Sequence, residues 1–221
     1  MGTATADMST IDSSERSSLT GIRVTGQTLL MVGFTLVETL ALGLWLTIVV
    51  GEPVISGAAA VGLGVLTLGL ILEHALTDAT INGLSADIVP GRRVVAVSIS
   101  EALLWVLWLG VAEQLGGVDG IVVAGVLFAV LLVPQHTVED NVLRGARPFA
   151  SVIDLGTLGF SIVEAVGATV WLLLVFESGE VAGLLDSIGF GGVDPAVLGL
   201  AAMAVILLIE HDIAVTLARE R

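Results

Sequence analysis

The chain has 221 residues, 55% of them hydrophobic, and a formal net charge of −14. A mean hydropathy of +1.01 excludes an ordinary water-soluble domain, and several runs reach the roughly 20 apolar residues that cross a bilayer. The lack of cysteine excludes disulfides, thiolate zinc centres and ordinary iron–sulfur ligation. An acidic chain of this kind is also no binder of nucleic acid.

All eight basic residues are Arg. Acid-rich, lysine-free exposed segments suit very salty water, where surface charge is heavily screened, so a halophilic archaeal source is expected. Without lysine, retinal attachment is impossible.

In chain order, residues 1–26 are Ser/Thr-rich and polar. They lack the apolar core of a cleavable signal and read as a short flexible tail. A single transmembrane domain follows over 27–221, with apolar runs at about 27–50, 55–76, 93–112, 120–138, 149–176 and 195–217, punctuated at Gly51–Pro53, Pro90–Arg93 and Gly145–Pro148. The 177–195 segment between the last two spans reads as a short interfacial helix or a disordered loop.

Six spans put both termini on one side. Arg16, Arg23, Arg92, Arg93, Arg144, Arg147, Arg219 and Arg221 all fall on that side, while Glu52, Glu113, Asp119, Glu177, Glu180, Asp186 and Asp194 occupy the other. The positive-inside rule therefore predicts a multi-pass cell-membrane protein with cytoplasmic N- and C-termini.

Spans 1, 3 and 5 carry one pattern: GFTLVETLALGLW, AVSISEALLWVLW and GFSIVEAVGATVW. Each has a hydroxyl residue (Thr35, Ser98, Ser161), then Glu38, Glu101 or Glu164 three residues on, then Trp45, Trp108 or Trp171 seven further. Spans 2, 4 and 6 also align, as LILEHALTD, LLVPQHTVED and ILLIEHDIAV. Their shared positions place His74, His136 and His211, the only histidines, in register after Glu73, Gln135 and Glu210. The expected architecture is an all-α integral membrane protein of three tandem two-helix hairpins, over about 27–90, 91–148 and 149–221. Even-span repeats point the same way, which predicts a pseudo-threefold axis along the membrane normal.

Arg93 to Glu101, His136 to Arg144 and His211 to Arg219 are each eight residues, about 12 Å of helix. The Glu and His residues therefore share one plane in the inner half of the bilayer. Charged groups there avoid lipid, so Glu38, Glu101, Glu164, His74, His136 and His211 are expected to face inward as an ion, proton or metal cluster. Three carboxylates in one plane need protons, imidazolium partners or a cation.

Trp45, Trp108 and Trp171 lie on the same face as their glutamates, as an outer lid or as an interfacial belt. Glu73, Gln135 and Glu210 rank below the histidines because adjacent helical residues diverge by about 100°. Asp78 and Asp140, one turn past their histidines, are secondary candidates to orient the imidazoles. Thr35, Ser98 and Ser161 are expected to bond back to a helix carbonyl, and Pro134 to kink its span.

No P-loop, G-x-S-x-G or H-E-x-x-H occurs. The expected function is a membrane transporter or channel for a proton, small cation or metal ion, and not an enzyme. The alternatives are a redox subunit holding haem or a divalent metal on the three histidines, or a structural subunit of a homo-oligomer or larger membrane complex.

Overall fold

The computed structural model describes residues 9–83 and 90–220. They form α1 (Ser9–Val49), α2 (Gly57–Asn82), α3 (Arg92–Leu115), α4 (Gly117–Leu143), α5 (Leu155–Phe176), α6 (Ser178–Ser187) and α7 (Pro195–Glu220). Six segments are long and apolar enough to cross a membrane: Thr28–Val49, Gly57–Asn82, Arg92–Leu115, Gly117–Leu143, Leu155–Phe176 and Pro195–Ala218. Helices close every backbone hydrogen bond within the segment, the requirement for a span in lipid.

Local sequence sets the boundaries. The Ser56 hydroxyl caps α2 by accepting from Ala59 N at 3.0 Å, and the Asp154 carboxylate caps α5 by accepting from Gly156 N at 2.7 Å. Gly116 and Gly117 turn α3 directly into α4 with φ of 70° and 63°, a conformation that disfavours side chains. Asn141 Nδ2 donates to the carbonyls of Pro148 and Ser151, each at 3.0 Å, and ties down the α4–α5 connection.

Neighbouring spans pack as α1 on α2, α3 on α4 and α5 on α7; α2 also meets α3, α4 meets α5, and α1 meets α7. The last span thus returns to the first. Leu36, Leu40, Leu68, Val126, Val130 and Val205 are exposed on the perimeter, an apolar belt suited to lipid. The interior holds Trp45, Trp105, Trp108, Trp171, Phe128, Leu66, Leu70 and Leu132.

Two expectations change. The segment expected as a flexible tail over 1–26 is helical from Ser9; residues 1–8 lie outside the described residues. The fifth span starts at Leu155 rather than 149, at its Asp154 cap. Pro134 lies inside α4, which stays helical on both sides of it. In the 177–195 segment, α6 forms with no buried residue.

Candidate functional site

Two helical turns from the Trp layer, the interior becomes polar. Six glutamates, one from each spanning helix, line a cavity of about 50 Å³, with Asp140 of α4 at its edge: Glu38 (α1), Glu73 (α2), Glu101 (α3), Glu139 (α4), Glu164 (α5) and Glu210 (α7). His74, His136 and His211 line it too. The cavity lies toward the end of the bundle that carries Arg92, Arg93, Arg144 and Arg147; Arg221 lies outside the described residues.

Each imidazole reaches across to the next helix pair in the same way. His74 Nδ1 is 3.2 Å from Ser98 Oγ and its Nε2 is 3.4 Å from Glu101 Oε2. His136 Nδ1 is 2.8 Å from Ser161 Oγ and its Nε2 is 3.0 Å from Glu164 Oε2. His211 Nδ1 is 2.8 Å from Thr35 Oγ1 and its Nε2 is 3.2 Å from Glu38 Oε2. Phe34 and Phe160, one residue before their hydroxyls, pack on His211 and His136 at centroid distances of 4.6 and 4.9 Å.

The hydroxyls fix the tautomer. Thr35, Ser98 and Ser161 each donate to the carbonyl four residues back: Met31 O at 2.9 Å, Val94 O at 3.0 Å and Thr157 O at 2.7 Å. Each hydroxyl proton is thereby engaged, and the oxygen is left to accept from Nδ1–H. His74 Nδ1 also lies 2.7 Å from Leu70 O, which can only accept. With the proton on Nδ1, a neutral imidazole turns its Nε2 lone pair toward a carboxylate, so a proton or a metal belongs between them.

Charge points the same way. The six glutamates alone outnumber the three imidazoles, and no Arg lines the cavity among the described residues. Even with every imidazole protonated, ionised carboxylates leave a deficit that protons or cations must fill. Glu38, Glu101 and Glu164 present oxygens within 4.8 Å of one another. Glu38 Oε2, Glu164 Oε1 and His74 Nε2 are buried without a hydrogen bond among the described residues.

The secondary candidates separate. Glu73 and Glu210 do reach the cluster, contrary to their low rank. Glu73 Oε2 is 3.0 Å from His74 Nδ1 and its Oε1 is 3.8 Å from His211 Nε2, while Glu210 Oε2 is 3.2 Å from His211 Nε2. A glutamate arm has enough torsions to bend back beside its neighbour, so Cβ direction alone was a poor guide. Gln135 turns away: it donates to Val97 O at 2.9 Å and accepts from Ser100 Oγ at 2.7 Å. Asp78 accepts from Asn82 Nδ2 at 2.6 Å, and Asp140 pairs with Arg144 and also lines the cavity.

Glu139 is the residue that repeat matching missed. Its Oε1 lies 3.2 Å from His74 Nε2. The corresponding positions, three residues after each histidine, hold Thr77 and Ala214, so comparing repeats discards it. Its spacing on the His136 face was the available signal.

Trp45, Trp108 and Trp171 are buried, not ranged around the perimeter as a belt would be. Trp45 and Trp108 sit edge-on to Trp105 at 6.3 and 5.3 Å, and Phe128 packs on Trp105 at 4.7 Å. This layer separates the Glu/His cavity from a shallow recess of about 660 Å³ at the opposite end, lined by Glu52, Glu113 and Glu177. A porphyrin does not fit among the histidines: the cavity is far below the roughly 300 Å³ of even a small ligand pocket, and every Nε2 faces a carboxylate. Comparison with protein-family models, curated proteins and solved structures returns no match.

Proposed function

We propose that the protein is a cell-membrane transporter or channel for a proton or small cation, with the Glu/His cluster as its binding station. The observation that carries this reading is the cyclic pairing. The histidine of α2 meets the hydroxyl and glutamate of α3, that of α4 meets those of α5, and that of α7 meets those of α1. Such a cycle fits three tandem hairpins, α1–α2, α3–α4 and α5–α7, arranged about a pseudo-threefold axis along the membrane normal.

A helix-packing role would need only one matched Glu–His pair per hairpin. Six acids against three bases favour a site that takes up positive charge. The Arg distribution supports cytoplasmic termini, which puts the cavity on the cytoplasmic side and the acidic recess outside. Passage then requires the Trp layer to part, as in alternating access.

The test is flux into proteoliposomes. Glu101→Gln keeps the shape and removes the charge of the residue shared by the carboxylate triangle and His74. Proton or cation flux is expected to fall by about tenfold or more; unchanged flux would reject the proposal.

A further inference from the structure

We propose that His74, Glu101 and Glu139 form the site of one divalent transition-metal ion, which names the cargo class of the binding station above and rests on that reading. His74 Nε2 is 1% exposed as part of its side chain and lies 3.4 Å from Glu101 Oε2 and 3.2 Å from Glu139 Oε1. Neither contact has the angular geometry of a hydrogen bond, although at 3.2 Å Glu139 is near enough to pair with a protonated Nε2. A proton on Nε2 would be expected to align with one of these oxygens; a metal ion sits between them.

The dimensions fit. One ligand atom from each residue lies within 4.8 Å of the other two. Tetrahedral ligands about 2.1 Å from an ion stand about 3.4 Å apart, close to the two edges at His74. The tautomer fits as well, since Nδ1–H is held by Leu70 O and Ser98 Oγ, the backing a metal-bound imidazole normally has.

Two carboxylates neutralise a divalent ion. One imidazole and two carboxylates suit zinc, iron(II), cobalt(II) or manganese(II) better than calcium or magnesium, which prefer oxygen alone. The cavity beside them, about 50 Å³, has room for the few waters that complete the coordination. Among the described residues the other such triangle, Glu38, Glu101 and Glu164, has no nitrogen. Glu139 sets His74 apart from His136; His211 Nε2 also meets two carboxylates, Glu38 and Glu210, each at 3.2 Å, but among the described residues those three do not close into a triangle within 4.8 Å.

The test is a cobalt(II) titration of the full chain, stripped with chelator and purified in mild detergent at high salt, followed by the visible ligand-field band. A band saturating near one equivalent and displaced by zinc is expected. Glu139 is the variant of choice, because at 17% side-chain exposure it is the most exposed of the three ligands. E139Q and H74Q are expected to weaken cobalt binding by about a hundredfold or more, whereas E139D, which keeps a carboxylate, retains a weaker band and shows that the fold tolerates change there. No band in the unaltered protein, or full affinity in E139Q, overturns the site. Glu101-dependent proton flux without cobalt binding retires the metal and leaves the transporter; cobalt bound at this site without flux of any cation retires the transporter and leaves the metal.

Discussion

Gly69 lies where α2 presses against α1, one turn before Glu73, and it faces Ala41, one turn after Glu38. A methyl group at Gly69 would stand 2.1 Å from Ala41 Cβ, whereas packed carbons rest at about 3.5–4.0 Å. G69A must therefore part the two helices by roughly 1.5 Å, an overpacking that costs about 1–3 kcal/mol, offset by up to about 1 kcal/mol of helix propensity. Ala41→Gly removes the obstructing atom, and the nearest remaining one, Ala41 Cα, is at an ordinary 3.6 Å. In the A41G background the same G69A change should be neutral or stabilising.

The cycle of four proteins is read by thermal unfolding in detergent, where each kcal/mol moves Tm by about 2–4 °C for a chain of this length. A coupling of about 1–3 kcal/mol is expected. Because the seam carries Glu38 and Glu73, flux should fall in G69A and recover in the double variant. An equal loss of Tm from G69A in both backgrounds would refute this account of how α1 and α2 meet.

Two further outcomes follow from the site. Ser161→Ala strips the acceptor from His136 Nδ1–H; nitrogen NMR of His136 should show the fixed tautomer giving way to a mixture, flux should drop by about 10–100-fold, and S161T should restore both. An unchanged His136 spectrum would mean that the hydroxyl does not set the tautomer. Trp105→Leu thins the aromatic layer while keeping an apolar side chain, so vesicles containing it should leak protons faster than those with the unaltered protein; equal tightness would remove the Trp layer as the barrier.

The spans were legible because length and apolarity alone decide them, though several helix ends lie five or six residues from the expected places and α1 starts well before its apolar run. Glu38, Glu101, Glu164 and the three histidines were legible because each recurs at a fixed offset, and all six come together. What the pattern hid was whatever is not repeated. Glu139 stands alone on α4, just past the expected end of its run at 138. Glu73 and Glu210 were misjudged because Cβ directions say little about where a long carboxylate arm ends. The role of Thr35, Ser98 and Ser161 was half visible: a bond to the helix carbonyl can be read from local spacing, but the imidazole that shares the oxygen arrives from another helix.

Each spanning helix carries one acid of the cluster, and this bears on how the chain is made. A central acidic residue raises the cost of inserting a helix by about 2.5–3.5 kcal/mol, so none of the six enters the bilayer without a burden that only another helix can relieve. His74 finds Glu101 as soon as α3 follows α2, and His136 finds Glu164 as soon as α5 follows α4. Glu38 has no such early relief: it is synthesised first, and its imidazole, His211, comes on the last span. A nascent chain halted before α7 therefore leaves the Glu38 carboxylate without its imidazole, a mark by which membrane quality control can tell an unfinished copy from a complete one.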